Sequence, residues 1–215
     1  MSFWQYLVDR RDLLVFQGVQ HLSMVAQCLL AATVIALVVA AFVYRNRTAV
    51  GLATATSAIG LTVPSFALLG LLVAVTGFGI TPAVIALTFY AILPILRNTV
   101  VGLAGVDPTL VDSARGMGMG RLRILTRIEF PMAWPVVVAG VRVSGAMIMG
   151  IGAIAAYVGG AGLGGEIFSG LSRLGGANAL NSTLAGTLGI AALALFLDLV
   201  LLGIGRITTS RGIRV

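Results

Sequence analysis

The residues able to do chemistry are few in this 215-residue chain, and their types exclude several kinds of site. The chain has one histidine (His21), one cysteine (Cys28), no lysine and fourteen arginines. Without lysine it can form neither a Schiff base nor a P-loop, whose lysine contacts the nucleotide phosphates. We interpret His21 as packed or solvated and Cys28 as a small hydrophobe. We therefore predict a non-catalytic chain without metal or cofactor; any ATP and Mg that drive it bind to a partner.

The composition predicts helices that cross a membrane. The chain is 59% hydrophobic and only 10% charged, whereas roughly a quarter of the residues of a soluble domain are charged. Several apolar stretches reach the length of about 20 residues that a transmembrane helix needs. We predict an all-α polytopic membrane protein with one transmembrane domain over 22–205. An external interfacial segment (1–21) precedes this domain, and a short tail (206–215) follows it.

The apolar stretches divide into five predicted spans. They cover approximately residues 22–44, 50–75, 82–103, 135–157 and 182–205. Pro64 in the second span and Pro94 in the third are expected to kink or break their helices. If the second span were split at Pro64 into two crossings, the count would be six.

The distribution of arginine predicts the orientation of these spans. Outside the spans, nine arginines lie on the side of the 45–47 turn, the loop before the fourth span and the C-terminus, against three on the other side. Cytoplasmic loops carry the excess of basic residues. We therefore predict a protein of the cell membrane with its N-terminus outside and its C-terminus cytoplasmic. A sixth crossing would remove this asymmetry.

A polar insert separates the third and fourth spans, over residues 104–133. Asp107 is a favourable N-cap and Pro108 a favourable first helical residue, and the alternating glycines that follow favour termination of the helix. Leu110, Ala114 and Met117 would share one face. The insert therefore predicts a short amphipathic helix held in water, where it can meet a partner. An ordinary surface helix is the plainer alternative.

The spacing of the insert resembles the EAA loop (EAA-x3-G-x9-I-x-LP) of ATP-binding-cassette importer permeases. The matching residues are Asp112-Ser113-Ala114, Gly118, Ile128 and Phe130-Pro131. The resemblance implies a five-helix importer-permease fold similar to that of methionine importers, in which this loop docks into a separate ATPase subunit. The residues that it assigns to ATPase coupling are Asp107, Pro108, Leu110, Val111, Asp112, Ser113, Ala114, Arg115, Met117, Gly118, Arg121, Ile128 and Pro131.

Four further stretches are similar to permeases for quaternary-ammonium osmoprotectants. They are residues 60–70, 90–99, 105–108 and 159–164. The similarity implies a transport path for a solute such as glycine betaine, choline or carnitine. Methionine-importer permeases share parts of these motifs, so a methionine or amino-acid importer is the alternative. An ion-coupled secondary carrier is a further alternative, but it would need internal repeats and more intramembrane acids than Asp198.

A path for a bulky cation predicts hydroxyls, small residues and aromatic faces near helix breaks. Most such aromatics simply pack, but the candidates are Thr62, Pro64, Ser65, Phe66, Phe89, Tyr90, Pro94, Asn98 and Thr99. Five helices are too few to enclose a solute, so we expect the path at the interface with a second copy or a paralogue of the chain. The resemblance also implies an external substrate-binding protein, whereas nucleic acid is not an expected partner.

Two opposite charges lie inside predicted spans, Arg142 in the fourth and Asp198 in the fifth. Each is about 10 Å along its helix from the same side of the membrane. Because unpaired charges in lipid are costly, we predict a structural contact between these two side chains. A proton relay is the alternative role.

Overall fold

The computed structural model describes residues 1–209, and this part of the chain consists of helices and turns without a strand. A π-helical turn covers Leu125–Glu129, and a 3-10 turn covers Ala156–Val158. The α-helices, in chain order, are α1 (Phe3–Asp9), α2 (Arg11–Val43), α3 (Arg47–Gly60), α4 (Ser65–Thr76), α5 (Ile80–Ala104), α6 (Pro108–Gly116), α7 (Arg121–Ile124), α8 (Phe130–Ala155), α9 (Gly164–Leu171) and α10 (Ala179–Thr208).

Four helical segments are long and apolar enough to cross a membrane. They are α2, α5, the continuous run from α7 through α8, and α10, and the bent pair α3–α4 would be a fifth span. The two helices of the pair meet at 91° around Pro64. With 14 and 12 residues, each half is only about 20 Å long at 1.5 Å per residue. Neither half can cross a hydrocarbon core of about 30 Å alone, which excludes six spans.

The bent pair connects opposite ends of the helix bundle. At one end, Tyr44 packs in a cluster with Leu103 and Ala133, so α2 and α5 finish where α8 begins. We call this the coupling end, after the role that the resemblance implies for the insert that follows α5. At the opposite end, the amide of Gly79 donates to the carbonyl of Val158 at 2.8 Å. Since α3 begins just after Tyr44 and α4 ends just before Gly79, the pair traverses the bundle as one broken span.

Several helix boundaries differ from the sequence prediction. Helix α2 begins at Arg11 instead of residue 22, so the expected interfacial lead-in is helical. The charged residues 9–12 include no glycine or proline, and the helix is interrupted there only at Arg10, between α1 and α2. The fourth span begins at Phe130, which places Pro135 inside α8. Pro94 lies inside α5, which stays helical throughout, whereas Pro64 marks a break.

The glycine-rich loop between α8 and α9 closes against α2. His21 is fully buried there, and its Nε2 lies 3.1 Å from the carbonyl oxygen of Met149. Gly162 has a φ of +116°, and a Cβ at this position would lie 2.5 Å from the Cβ of His21. His21 is therefore a packed residue, one of the two interpretations offered by the sequence. Only glycine permits this approach of the loop to α2.

We expect Gly164→Ala to destabilise the protein, because the new methyl would overlap the carbonyl of Ala153. Overpacking of this kind costs about 1–3 kcal/mol. Gly165→Ala is the matched control, since a Cβ there meets nothing within 4 Å. Thermal unfolding of the detergent-solubilised protein should show a lower midpoint for the first variant alone. Equal midpoints for the two variants would contradict this account of the loop.

Candidate functional site: the coupling loop and the helix break

The helix of the polar insert, α6, forms as its capping residues predict; we call residues 104–133 the coupling loop and α6 the coupling helix, after the role that the resemblance implies. The Oδ1 atom of Asp107 accepts a hydrogen bond from the amide of Thr109 at 2.8 Å, and Pro108 is the first helical residue. This backbone hydrogen bond lowers the pKa of the Asp107 carboxyl from its usual value, so the cap is ionised at neutral pH. The helix ends at Gly116, and Gly118 then turns the chain with a φ of +79°.

The predicted apolar face of α6 is divided in the structure. Ala114 is fully buried, whereas Leu110 and Met117 are 44% and 71% exposed. Helix α6 packs on α7 and the π-turn, so Ala114 holds α6 to the rest of the insert. Leu122 on α7 is 73% exposed. The surface offered to a partner thus contains Leu110, Met117 and Leu122, and Ala114 lies beneath it.

Basic and polar residues surround these exposed apolar side chains. Arg115 pairs with Asp112 on the surface of α6 at 3.0 Å, while Val111 is half-buried and Ser113 is exposed. An open groove of about 590 Å³ lies beside them. Its lining residues are Gly118, Gly120, Arg121, Leu122, Arg123, Thr126 and Arg127. Positive charge around an apolar centre suits a partner surface that carries acidic residues at its rim.

The returning segment of the insert is anchored by a carboxylate that the motif did not predict. Glu129, between the predicted Ile128 and Phe130-Pro131, is only 4% exposed. It accepts a hydrogen bond from Tyr44 at 2.5 Å and contacts Arg45 at 3.1 Å. We call Tyr44, Arg45 and Glu129 the Glu129 cluster. Its sequence signal was weak, because nothing in the sequence relates an acid at 129 to residues some 85 positions earlier.

The break between α3 and α4 is stabilised from the third span. The hydroxyl of Tyr90 donates to the carbonyl of Val63 at 2.6 Å, and that of Thr62 donates to the carbonyl of Ile59 at 2.7 Å. Pro64 has an extended backbone and immediately precedes α4, which begins at Ser65. Tyr90 is buried, so this predicted path residue supports the break with its hydroxyl.

Three other predicted path residues pack between helices. Pro94 and Thr99 are buried, and the Thr99 hydroxyl donates to the carbonyl of Ile95 within its own helix. The Asn98 amide donates to the carbonyl of Pro94. A Cβ on Gly140 would lie 2.8 Å from the Cβ of Asn98, which places Asn98 where α5 and α8 meet. Pro94, Asn98 and Thr99 thus contribute to packing of α5.

An exposed row of aromatic rings lies beside the break. Phe66 stands 5.2 Å from Tyr157, and Tyr157 stands 5.4 Å from Phe168, measured between ring centroids. Phe66 and Tyr157 are 53% and 58% exposed. The predicted Phe89 is 38% exposed and packs edge-on against Tyr90. Tyr157 and Phe168 were missed because they belong to the 3-10 turn after α8 and to α9, far from either proline.

Comparison with known proteins identifies the family. Residues 32–207 of the chain match the sequence model of a protein family described as the binding-protein-dependent transport system inner membrane component. The chain belongs to this family. The permease is 34% identical over 219 residues to an osmoprotectant import permease protein of Salmonella typhimurium, with all of both chains covered. This family membership excludes the secondary-carrier alternative.

Two other relatives of the permease match over shorter stretches. A glycine betaine/carnitine/choline transport system permease protein of Bacillus subtilis is 37% identical over 153 residues, 71% of this chain and 69% of that protein. A carnitine transport permease protein of Listeria monocytogenes is 45% identical over 111 residues, 52% of this chain and 51% of that protein. The predicted resemblance to osmoprotectant permeases is confirmed.

A solved structure supports the fold of the permease. An inward-facing structure of the MetNI methionine ABC transporter matches with a TM-score of 0.77 over 94% of this chain and 99% of that chain, at 22% identity. The predicted importer-permease fold is confirmed.

The intramembrane charges of the permease form the predicted pair. Arg142 Nε and Asp198 Oδ1 are 2.8 Å apart, as are Arg142 Nη2 and Asp198 Oδ2. This two-point contact joins α8 to α10. Both side chains are about one-third exposed in the single chain. Within residues 1–209, no group of three His, Cys, Asp or Glu side chains has the arrangement of a metal site.

A second buried carboxylate stabilises the opposite end of the permease. Glu166 on α9 is 3% exposed. It accepts hydrogen bonds from Tyr6 at 2.7 Å and Ser182 at 2.8 Å, and it lies 3.2 Å from Arg10. We call Tyr6, Arg10, Glu166 and Ser182 the Glu166 cluster. It connects α1 to α9 and α10 with the same tyrosine–arginine–glutamate chemistry as the Glu129 cluster.

Proposed function

We propose that the chain is the membrane permease of an ATP-driven importer for quaternary-ammonium solutes such as glycine betaine, choline or carnitine. The coupling loop is the main observation in support. It carries exposed apolar side chains and arginines on a capped helix and on the short helix and π-turn that follow it. A separate ATPase would bind ATP and Mg and dock on this surface. The permease itself would perform no chemistry.

The proposed orientation places the coupling end in the cytoplasm. The 45–47 turn, the insert and the end of α10 lie at one end of the bundle, and within residues 1–209 seven of the ten arginines outside the predicted spans lie at that end. The positive-inside rule then favours a cytoplasmic coupling loop and an external N-terminus. An external binding protein would deliver the solute at the opposite end of the bundle.

A second permease, identical or paralogous, is proposed to complete the path. Helix α2 carries Gln20, Ser23 and Gln27 along one side of a cavity of about 480 Å³, and Thr88 on α5 also lines it. Amide and hydroxyl groups on a membrane helix need polar partners or water. A neighbouring permease or an aqueous path between the two would provide them.

The proposed solute class rests on the names of the relatives and on the chemistry beside the break. Quaternary ammonium groups bind to the faces of aromatic rings, and Phe66, Tyr157 and Phe168 present a row of such rings. The hydroxyl of Ser65 adds a polar group nearby. A methionine importer is less well supported, because its structural likeness to this chain extends to the fold only.

Uptake of radiolabelled glycine betaine tests this function. Cells that carry the permease with its ATPase and binding protein should accumulate glycine betaine, and unlabelled choline or carnitine should compete. Labelled methionine should not accumulate above the level of cells that lack the permease. Accumulation of methionine without glycine betaine, choline or carnitine would contradict the proposed solute class.

Within the same assay, we expect Tyr157→Leu to lower the rate of glycine betaine uptake at a subsaturating glycine betaine concentration. Loss of one cation–π contact worth about 1 kcal/mol reduces occupancy of the path about fivefold. Tyr157→Phe keeps the ring and should transport normally. Phe196→Leu removes a similarly exposed ring (54%) on α10 and should have no effect. Unchanged uptake by Tyr157→Leu would show that the aromatic row does not line the path.

A further inference from the structure

The Glu129 cluster holds one carboxylate by three hydrogen-bonding contacts. The Tyr44 hydroxyl donates to Oε2 at 2.5 Å, and Arg45 Nη2 lies 3.2 Å and 3.1 Å from Oε1 and Oε2. Arg45 Nε also donates to the Tyr44 hydroxyl at 2.6 Å. The guanidinium carbon stands 5.2 Å from the centre of the Tyr44 ring. Each member therefore contacts both others, which fixes their relative positions.

The cluster is largely shielded from solvent, and its phenol stays protonated. The side chain of Glu129 is 5% exposed and that of Arg45 is 24% exposed. Burial and the hydrogen bond to Glu129 raise the pKa of the Tyr44 phenol to about 12, so the phenol remains a donor throughout the physiological range. Removing one partner from such a set leaves a buried charge uncompensated, which costs several kcal/mol.

The position of the cluster connects two parts of the molecule that are distant in sequence. Glu129 is the last residue of the π-turn, and the π-turn and α7 are the elements on which α6 packs. Arg45 and Tyr44 immediately follow α2. Around them, Ala40, Val100 and Ala133 form an apolar cluster. A displacement of the coupling loop thus reaches α8 through the chain and α2 through Glu129.

We propose that Glu129, Tyr44 and Arg45 are positioning residues that transmit movement of the coupling loop to helix α2. This inference rests on the proposed function, since it assigns the cluster a part in coupling to the ATPase. A π-turn has looser hydrogen bonding than an α-helix and is common at functional sites. Here the π-turn allows the chain to bend just before α8. When the coupling loop moves, the Glu129 cluster moves α2 with it while the π-turn bends.

The Glu166 cluster supplies an internal control of the same chemistry. It also joins a buried glutamate to a tyrosine and an arginine, but it lies at the opposite end of the bundle and has no contact with the coupling loop. Breaking either cluster should lower stability. Only the Glu129 cluster should alter how ATP hydrolysis is converted into transport.

The test uses the complete transporter with its ATPase and binding protein, reconstituted in liposomes with glycine betaine. The measured quantity is the number of ATP molecules hydrolysed per solute imported. We expect Glu129→Gln to raise this ratio threefold or more, with the ATPase still bound. Tyr44→Phe, which keeps the ring and removes one donor, should raise it less. Glu166→Gln should lower the thermal midpoint and leave the ratio unchanged.

A charge exchange distinguishes coupling from simple stabilisation. Arg45→Glu combined with Glu129→Arg restores an ion pair and should bring the ratio back toward that of the unaltered protein. An unchanged ratio in both Glu129→Gln and Tyr44→Phe would overturn the inference, as would an equal increase in Glu166→Gln. If the unaltered transporter neither binds an ATPase nor imports glycine betaine, the proposed function fails instead.

Discussion

Replacing Leu122 with aspartate is expected to abolish capture of the ATPase subunit by the solubilised permease. Leu122 is 73% exposed on the coupling loop, beside the basic groove. In the proposed complex it becomes buried against the ATPase, and a carboxylate there would be desolvated without a partner. Loss of a hot-spot contact at an interface costs about 2 kcal/mol or more, and we expect a loss of this size here, which lowers affinity by about thirtyfold.

The chain offers a closely matched control for this substitution. Leu174 is 77% exposed in the loop before α10, at the opposite end of the bundle. Leu174→Asp introduces the same charge in a similarly exposed position and should leave ATPase capture unchanged. The measurement is co-purification of a tagged permease with its ATPase, quantified against permease amount. Normal capture by Leu122→Asp would show that the ATPase docks elsewhere.

The second large effect is expected at the ion pair between α8 and α10. In Arg142→Leu, the Asp198 carboxylate keeps its depth in the membrane and loses both nitrogen partners. A lone charge at such a depth costs about 2.5–3.5 kcal/mol on insertion scales. We therefore expect the yield of monodisperse permease to fall tenfold or more, with a lower thermal midpoint for the fraction that is recovered.

The double substitution Arg142→Leu with Asp198→Leu separates the structural role from a proton relay. Apolar residues of similar volume often replace a buried ion pair without loss of stability, so yield and uptake should both recover. If stability recovers but uptake does not, Asp198 has a role beyond pairing. If Arg142→Leu alone matches the unaltered protein, the pair has no structural importance.

The coupling helix was predictable because its signals are local. The Asp107 cap, Pro108 and the following glycines act within a few residues of one another, and the structure confirms the helix that they predict. Which residues of α6 are buried was harder to predict from the sequence. Periodicity places Leu110, Ala114 and Met117 on one face, but it cannot show that α7 covers only part of that face.

Features that depend on distant residues were predicted unevenly. Arg142 and Asp198 could be paired because they are conspicuous charges in apolar helices at matching depth. Glu129 and Glu166 lie near polar loops, where an acid is unremarkable, and their partners come from other helices. The 91° angle between α3 and α4 at Pro64 could not be predicted from the sequence either. Pro64 marks a break, whereas Pro94 and Pro135 lie within continuous helices.

The right-angled junction of α3 and α4 also affects how long an unassembled copy of the permease persists in the membrane. At residues 61–64 the main chain leaves the helical ladder, and these residues are exposed in the isolated chain. Hydrocarbon tails cannot satisfy main-chain amides and carbonyls, so irregular backbone at this depth needs cover from protein or water. A newly inserted copy is therefore poorly solvated by its own bilayer at this point. We expect orphan molecules to be degraded faster than those already joined to their neighbours.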